Sequence, residues 1–413
     1  MRHVGIDFGT TNTVIALPDG NGGTCSAVFD TEAVYRSVLC FWNEDAQAGQ
    51  RLHHAAGPEA IAAYLDDPLD SRLIMSMKTY LAQRSFVETR IFGRRFSLAD
   101  LIAHFLRAAV AAAGLDPAAL GVVAGRPVRF AGAFADDDFG DVRLREAFAA
   151  VGFRDVAIAL EPEAAGWRFA RSLTRPAIVL VGDFGGGTSD FSVLRFVPGA
   201  PVAPVGHAGV GIAGDMFDYR IIDKVISPLL GKDDTYRVFG KDMPIPVEYF
   251  TSFARWHSLS LMRGPKTLRE IADVAKTARH PERLRALIGL IQDEQGFHLY
   301  QAVSAVKATL SRAERATLRF AHAGLAIEQS VTRTDFETWI APDLTRIGAA
   351  VDRALSEAGL EPGAIDHVFL TGGTSFVPAV RRLFDDRFGA ERVTAGGEFV
   401  SVAEGLALMG APA

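Results

Sequence analysis

The chain has 413 residues, enough for two or three domains that each bury a core. Hydrophobic residues make up 49% and charged residues 22%, which excludes a disordered chain. The formal charge of -6 excludes broad electrostatic attraction to nucleic acid or an anionic membrane, and two cysteines, Cys25 and Cys40, exclude a disulfide framework or a cysteine metal cluster.

Met1-Arg2-His3-Val4 runs directly into a strand with no signal-peptide core, and the apolar stretch Leu101 to Ala113 is interrupted by His104 and Arg107, so a cytoplasmic protein is expected. The buried strand His3 to Ile6 ends in Asp7, followed by the turn Phe8-Gly9-Thr10-Thr11-Asn12 and a second apolar stretch, Val14 to Leu17. The strand pattern continues to about Val38, helices follow, and a strand returns near Gly121 to Ala124. A helix from about Asp137 to Val151 leads to the strand Val156 to Leu160. Then Glu161-Pro162-Glu163-Ala164-Ala165 opens a helix, with proline and acids in its first turn, that ends near Ser172.

From Arg175-Pro176 the pattern starts again: an apolar strand, Ile178 to Val181, the turn Asp183-Phe184-Gly185-Gly186-Gly187-Thr188-Ser189-Asp190, and a second strand, Phe191 to Phe196. The repeat is one of architecture rather than of extended identity. Between about Gly214 and Phe320 the chain becomes charged, largely helical and poor in glycine, with a loop around Gly231 to Pro246. The strand His367 to Thr371, the turn Gly372-Gly373-Thr374-Ser375, a helix from about Val377 to Phe388 and a final apolar helix, Val400 to Met409, complete the pattern. Only Gly410 to Ala413 follow, so no further domain is expected there.

The two aspartate-led glycine-threonine turns carry the chemistry. Small residues let backbone amides approach a polyphosphate, threonine hydroxyls add hydrogen bonds, and Asp7 and Asp183 would face each other across a Mg²⁺ and its waters. A single turn of this kind is an ordinary hairpin turn; two copies in matching contexts favour phosphate clamps. No Gly-x-x-x-x-Gly-Lys-[Ser/Thr] is present, which excludes a P-loop enzyme. The strand after Gly185-Gly186-Gly187-Thr188 argues against a dinucleotide-binding turn, which opens a helix. The histidines, His53, His54 and His104 among them, lack metal-ligand spacing.

Four segments in order resemble the nucleotide-binding domain of the DnaK-type 70-kDa heat-shock chaperones, within the actin and sugar-kinase superfamily. Asp7 to Asn12 is similar to the family's phosphate-1 motif, Leu160 to Ala165 to its first connecting helix, Asp183 to Asp190 to its phosphate-2 motif and Val368 to Pro378 to its adenosine motif. Gly125-Arg126-Pro127-Val128 and the short C-terminus resemble the YegD-type branch, which lacks the usual substrate-binding domain.

The resemblance implies an α/β chain with a duplicated actin-like ATPase fold, two lobes around a central nucleotide cleft. Lobe I would span 1–172 and lobe II 173–413, with a mostly helical subdomain inserted at about 214–330. It implies ATP or ADP with Mg²⁺. Asp7, Glu161 and Asp183 carry over as the carboxylates around the metal and the attacking water, Lys78 as the catalytic lysine and Thr188 as a neighbour of the γ-phosphate. Gly9, Thr10, Thr11, Asn12, Gly185, Gly186 and Gly187 carry over to the phosphates; Gly214, Lys307, Ser311, Gly372, Gly373, Thr374 and Phe376 carry over to the rest of the nucleotide. The chain departs from the pattern at the purine, where Ala308 and Phe376 stand at the positions of two stacking arginines and the acidic residue of that helix is missing. Base preference stays open.

Three functions fit. The first is an ATP-hydrolysing, chaperone-like switch without a peptide-binding domain, serving clients or co-chaperones in trans, with Pro127 coupling nucleotide state to a partner surface. The second is a non-catalytic nucleotide-dependent scaffold or filament former. The third is a small-molecule kinase of the same superfamily, for which no acceptor base or substrate-pocket motif stands out.

Overall fold

A computed structural model describes residues 2–410 except 47–48, 133, 199, 201, 256–258, 323–324 and 397–399. The chain divides into two compact units, one formed by Met1–Gly214 with Leu344–Ala413 and the other by Asp215–Asp343.

The first unit contains two sheets of the same design. In one, β1 (His3–Phe8), β2 (Asn12–Pro18) and β3 (Thr24–Ser26) form an antiparallel meander, and β4 (Gly121–Arg126) and β5 (Asp155–Leu160) add parallel to β1 on its other side. In the other, β6 (Ala177–Phe184), β7 (Ser189–Phe196) and β8 (Ala203–Val210) form the meander, and β9 (His367–Thr371) and β10 (Val393–Ala395) add parallel to β6. Identical order and direction make the duplication explicit, and the architecture is that of the actin-like ATPase fold.

Buried runs such as Val4-Gly5-Ile6 and Leu180-Val181 place central strands between apolar layers. Helices Glu161–Ala170 and Ser401–Met409 pack together between the sheets. Ala164, Ala165, Val402 and Leu406 share one core with Val123 of the first sheet and Val179, Val181, Leu194 and Phe369 of the second. The contact requires Gly405, since a Cβ there would lie 1.8 Å from the carbonyl oxygen of Ala164. Gly405→Ala should therefore push the helices apart and cost about 1–3 kcal/mol, visible as a lower urea midpoint. An unchanged midpoint would contradict this packing.

Two stretches differ from their sequence expectation. Instead of mainly helices after Val38, the strands Leu39–Ala46, Gly49–Ala56 and Ser71–Ile74 form a small sheet, and a hairpin, Glu88–Ile91 with Arg94–Ser97, precedes helix Leu98–Ala112. Leu39, Cys40 and Phe41 are buried consecutively, so the run lacks the alternation that marks a strand. Likewise, Gly231 to Pro246 contains a hairpin, Thr235–Val238 with Lys241–Pro244, whose Phe239-Gly240 turn has both φ values positive, at 47° and 80°. The second unit is otherwise largely helical, with helices Pro265–Ala275, Pro281–Gln292 and Gly296–Leu310 and a further hairpin, Arg315–His322 with Leu325–Thr332.

Candidate active site

The β1–β2 and β6–β7 turns close in the same way. The Gly9 amide donates to the Asn12 carbonyl at 3.0 Å, and the Gly185 amide donates to the Thr188 carbonyl at 3.0 Å. At Gly9 a Cβ would approach that carbonyl oxygen to 2.2 Å, so the first turn needs glycine. Its base is braced by Tyr35–Arg36: Ser37 donates its amide to the Thr11 carbonyl, and the Arg36 guanidinium donates to Asn12 Oδ1 at 2.9 Å. The tips meet. A Cβ on Gly187 would lie 3.6 Å from Thr10 Oγ1 and 4.0 Å from Thr79 Oγ1, so both turns converge with the short helical turn Met77–Tyr80 that carries Lys78.

Acidic groups collect beneath these tips. Asp7 and Asp183 sit near the ends of β1 and β6, and Glu161 is the first residue of helix Glu161–Ala170. Lys78 donates to Glu161 Oε1 at 2.5 Å, and both side chains are buried. Burial works against the Lys78 charge, but Glu161, Asp7 and Asp183 outweigh it and raise its pKa. Desolvation, and then repulsion from Glu161, push Asp7 up to about 7 despite the attraction of Lys78. Asp183 rises well above the usual carboxylate range through burial and the charges of Glu161, Asp7 and Asp190.

One more carboxylate belongs to this cluster, and the motifs alone assign it no role. Asp190 is the cross-strand partner of Asp183, is 1% exposed and is pushed by burial and by Glu161 to about 7. Its side chain accepts from Thr188 and from the Arg129 amide at 3.2 Å, joining the second turn to the loop after β4. The clue in the sequence is its seven-residue spacing from Asp183, which a tight hairpin converts into direct opposition.

Four acids gathered around one lysine leave negative charge that a cation would balance. Oxygen donors alone suit a hard ion such as Mg²⁺. Among the described residues no three histidine, cysteine or acidic side chains are grouped to ligate one ion directly. Carboxylates such as Asp7 and Asp183 would suit an ion of this kind that keeps several of its waters.

The remaining candidates fall in separate places. Gly372 leaves β9 with φ 84°, Thr374 is buried, and Phe376, at the end of the turn Gly373–Phe376, is 46% exposed. Phe376 therefore lies outside the core. Gly214 opens helix Gly214–Ile221. In the second unit, Lys307 on helix Gly296–Leu310 donates to Asp218 at 2.7 Å, and the Ser311 hydroxyl donates to the Lys307 carbonyl at 3.2 Å.

Residues 288–411 match a family model described as Hsp70 protein. Along 94% of its length the chain is 24% identical to the chaperone protein DnaK of each of two strains of Thermus thermophilus, and 25% identical to the chaperone protein DnaK of Deinococcus radiodurans. The chain spans 57% of the length of the two Thermus proteins and 56% of the Deinococcus one.

Proposed function

We propose that this chain, which belongs with the nucleotide-binding domains of the Hsp70 family, binds ATP with Mg²⁺ and hydrolyses it as the motor of a chaperone-like switch. The observation that carries the reading is the convergence of two identically closed glycine-threonine turns with Lys78 over one buried acidic cluster. Phosphoryl transfer asks a protein mainly for positioning and charge stabilisation. Amides and hydroxyls of Gly9 to Thr11 and Gly185 to Thr188 would hold the phosphate oxygens, and Mg²⁺ would neutralise part of their charge. Glu161 fixes the Lys78 ammonium, which would face charge that develops on the transferred group. Asp183 and Asp190 would orient the attacking water and accept from it. For Lys307 and Ser311 a role at the ribose rests on the family resemblance. Client or co-chaperone partners, and the YegD-type placement suggested by Gly125-Arg126-Pro127-Val128, belong to the same proposal.

ADP titration by calorimetry and steady-state ATP turnover, each with Mg²⁺ and with EDTA, test it. Metal-dependent binding and turnover are expected. Absence of nucleotide binding would remove the whole reading, and binding without turnover would leave the scaffold.

The exposed Phe376 ring supplies a face for the purine. Phe376→Ala should weaken ADP binding by about 0.5–1.5 kcal/mol and leave tripolyphosphate binding unchanged. Equal losses for both ligands would take Phe376 away from the base.

A further inference from the structure

Helix Asp137–Val151 turns Leu144, Ala147, Phe148 and Val151 into the core, and on the same buried side it carries Arg143, which is only 9% exposed. A cation among such neighbours is costly unless its donors are satisfied. Its hydrogen bonds reach one stretch of backbone. Nη1 donates to the carbonyls of Tyr80, Leu81 and Gln83 at 3.3, 3.4 and 3.3 Å, and Nη2 donates to the carbonyl of Phe86.

That stretch follows directly on Lys78. It is a succession of turns rather than a ladder, with the Leu81 amide on the Lys78 carbonyl, the Gln83 amide on the Tyr80 carbonyl and the Phe86 amide on the Gln83 carbonyl. Within these turns the Tyr80 and Gln83 carbonyls each accept one amide, and the segment lies in no strand ladder that would pair the others, such as those of Leu81 and Phe86. The planar fork of a guanidinium presents five donors in a fixed array and can collect several carbonyls at once, whereas a lysine ammonium offers three on a flexible stem and an apolar side chain none. The same helix adds further ties: the Asp136 amide donates to the Ala82 carbonyl, Arg84 pairs with Asp136 at 2.6 Å, and the Phe139 ring lies 4.3 Å from the Arg143 guanidinium carbon and 4.7 Å from that of Arg84.

We propose that Arg143 is a positioning residue for Lys78, fixing the chain just after it so that the ammonium stays on Glu161 and over the two turns. The catalytic consequence rests on the function proposed above; the positioning itself does not. Misplacing a charge-stabilising group by a fraction of a bond length lowers turnover while leaving ground-state binding nearly intact.

The test uses Arg143→Met and Arg143→Lys in the whole chain with three measurements. These are amide exchange across residues 80–86, the acetylation rate of Lys78 relative to the exposed Lys266, and kcat alongside ADP affinity. For Arg143→Met we expect faster exchange in 80–86, several-fold faster Lys78 acetylation, and kcat lower by roughly tenfold to a hundredfold with ADP affinity within about twofold of wild type. Arg143→Lys should recover part of each. If wild type shows no turnover but Lys78 acetylation still responds, the function fails and the positioning stands. Wild-type exchange and acetylation in Arg143→Met would overturn the proposal, as would exchange rising equally in helix Leu98–Ala112, which would make Arg143 a general packing residue.

Discussion

Replacing Asp7 with asparagine is expected to make the nucleotide-free protein more stable at pH 8 and nearly inactive. An unfolded aspartate ionises near 3.8, whereas burial and Glu161 push Asp7 in the folded protein to about 7. Between those values the folded state holds a proton that the unfolded state has lost. The associated stability is complete below about pH 4 and disappears as pH rises through about 7. A shift of that size corresponds to about 4 kcal/mol. Asparagine carries no charge, so Asp7→Asn should gain up to that amount over wild type at pH 8 and little at pH 4.5. Urea denaturation in EDTA at the two pH values measures it. Turnover of Mg·ATP should fall about 10²- to 10³-fold, the usual scale for losing an electrostatic contributor. A variant that is less stable than wild type at pH 8, or one that keeps its turnover, contradicts the picture of an anionic cluster awaiting a cation.

Lys78→Met should produce the opposite stability effect. It leaves Glu161 buried without its partner, and breaking a buried pair from one side costs about 3–5 kcal/mol. Adding Glu161→Gln should restore most of that stability, because the uncompensated charge is then gone. Turnover should stay lost in the double variant, since the ammonium proposed to face the transferred phosphate is still missing. A double-mutant cycle by urea denaturation gives the coupling, and single-turnover hydrolysis gives the function. Recovery of hydrolysis together with stability would reduce Lys78 to a structural partner of Glu161.

The parts of this site that were legible in the sequence are the local ones. Each turn is a few consecutive residues whose small side chains and leading aspartate state its geometry, so Asp7 to Asn12 and Asp183 to Thr188 could be read from composition and spacing alone. Lys78 could not. Its partner is 83 positions away, and only family order singled it out from other lysines. Asp190 was in plain view but needed the hairpin register to become a neighbour of Asp183. Arg143 left a weaker trace, a charge on the buried stripe of an otherwise amphipathic helix. The small sheet after Val38 escaped because its first strand opens with three consecutively buried residues, Leu39 to Phe41, and so lacks the two-residue alternation, while the duplicated halves remained visible because their opening hairpins are contiguous in the chain.

Helix Ser401–Met409 has a consequence for the time course of assembly. It covers β1, with the Gly5 Cα so close that an added Cβ would lie 2.1 Å from the Ala403 carbonyl oxygen, yet it is made long after that strand leaves the ribosome. The β1–β2 hairpin can form early from local contacts, but one face of it stays bare until the distant helix arrives. During synthesis the nascent chain should therefore carry an exposed apolar sheet face, a ready target for holdase chaperones and for misassociation. A protein read as a relative of chaperones would, while being made, itself present the kind of surface that chaperones cover.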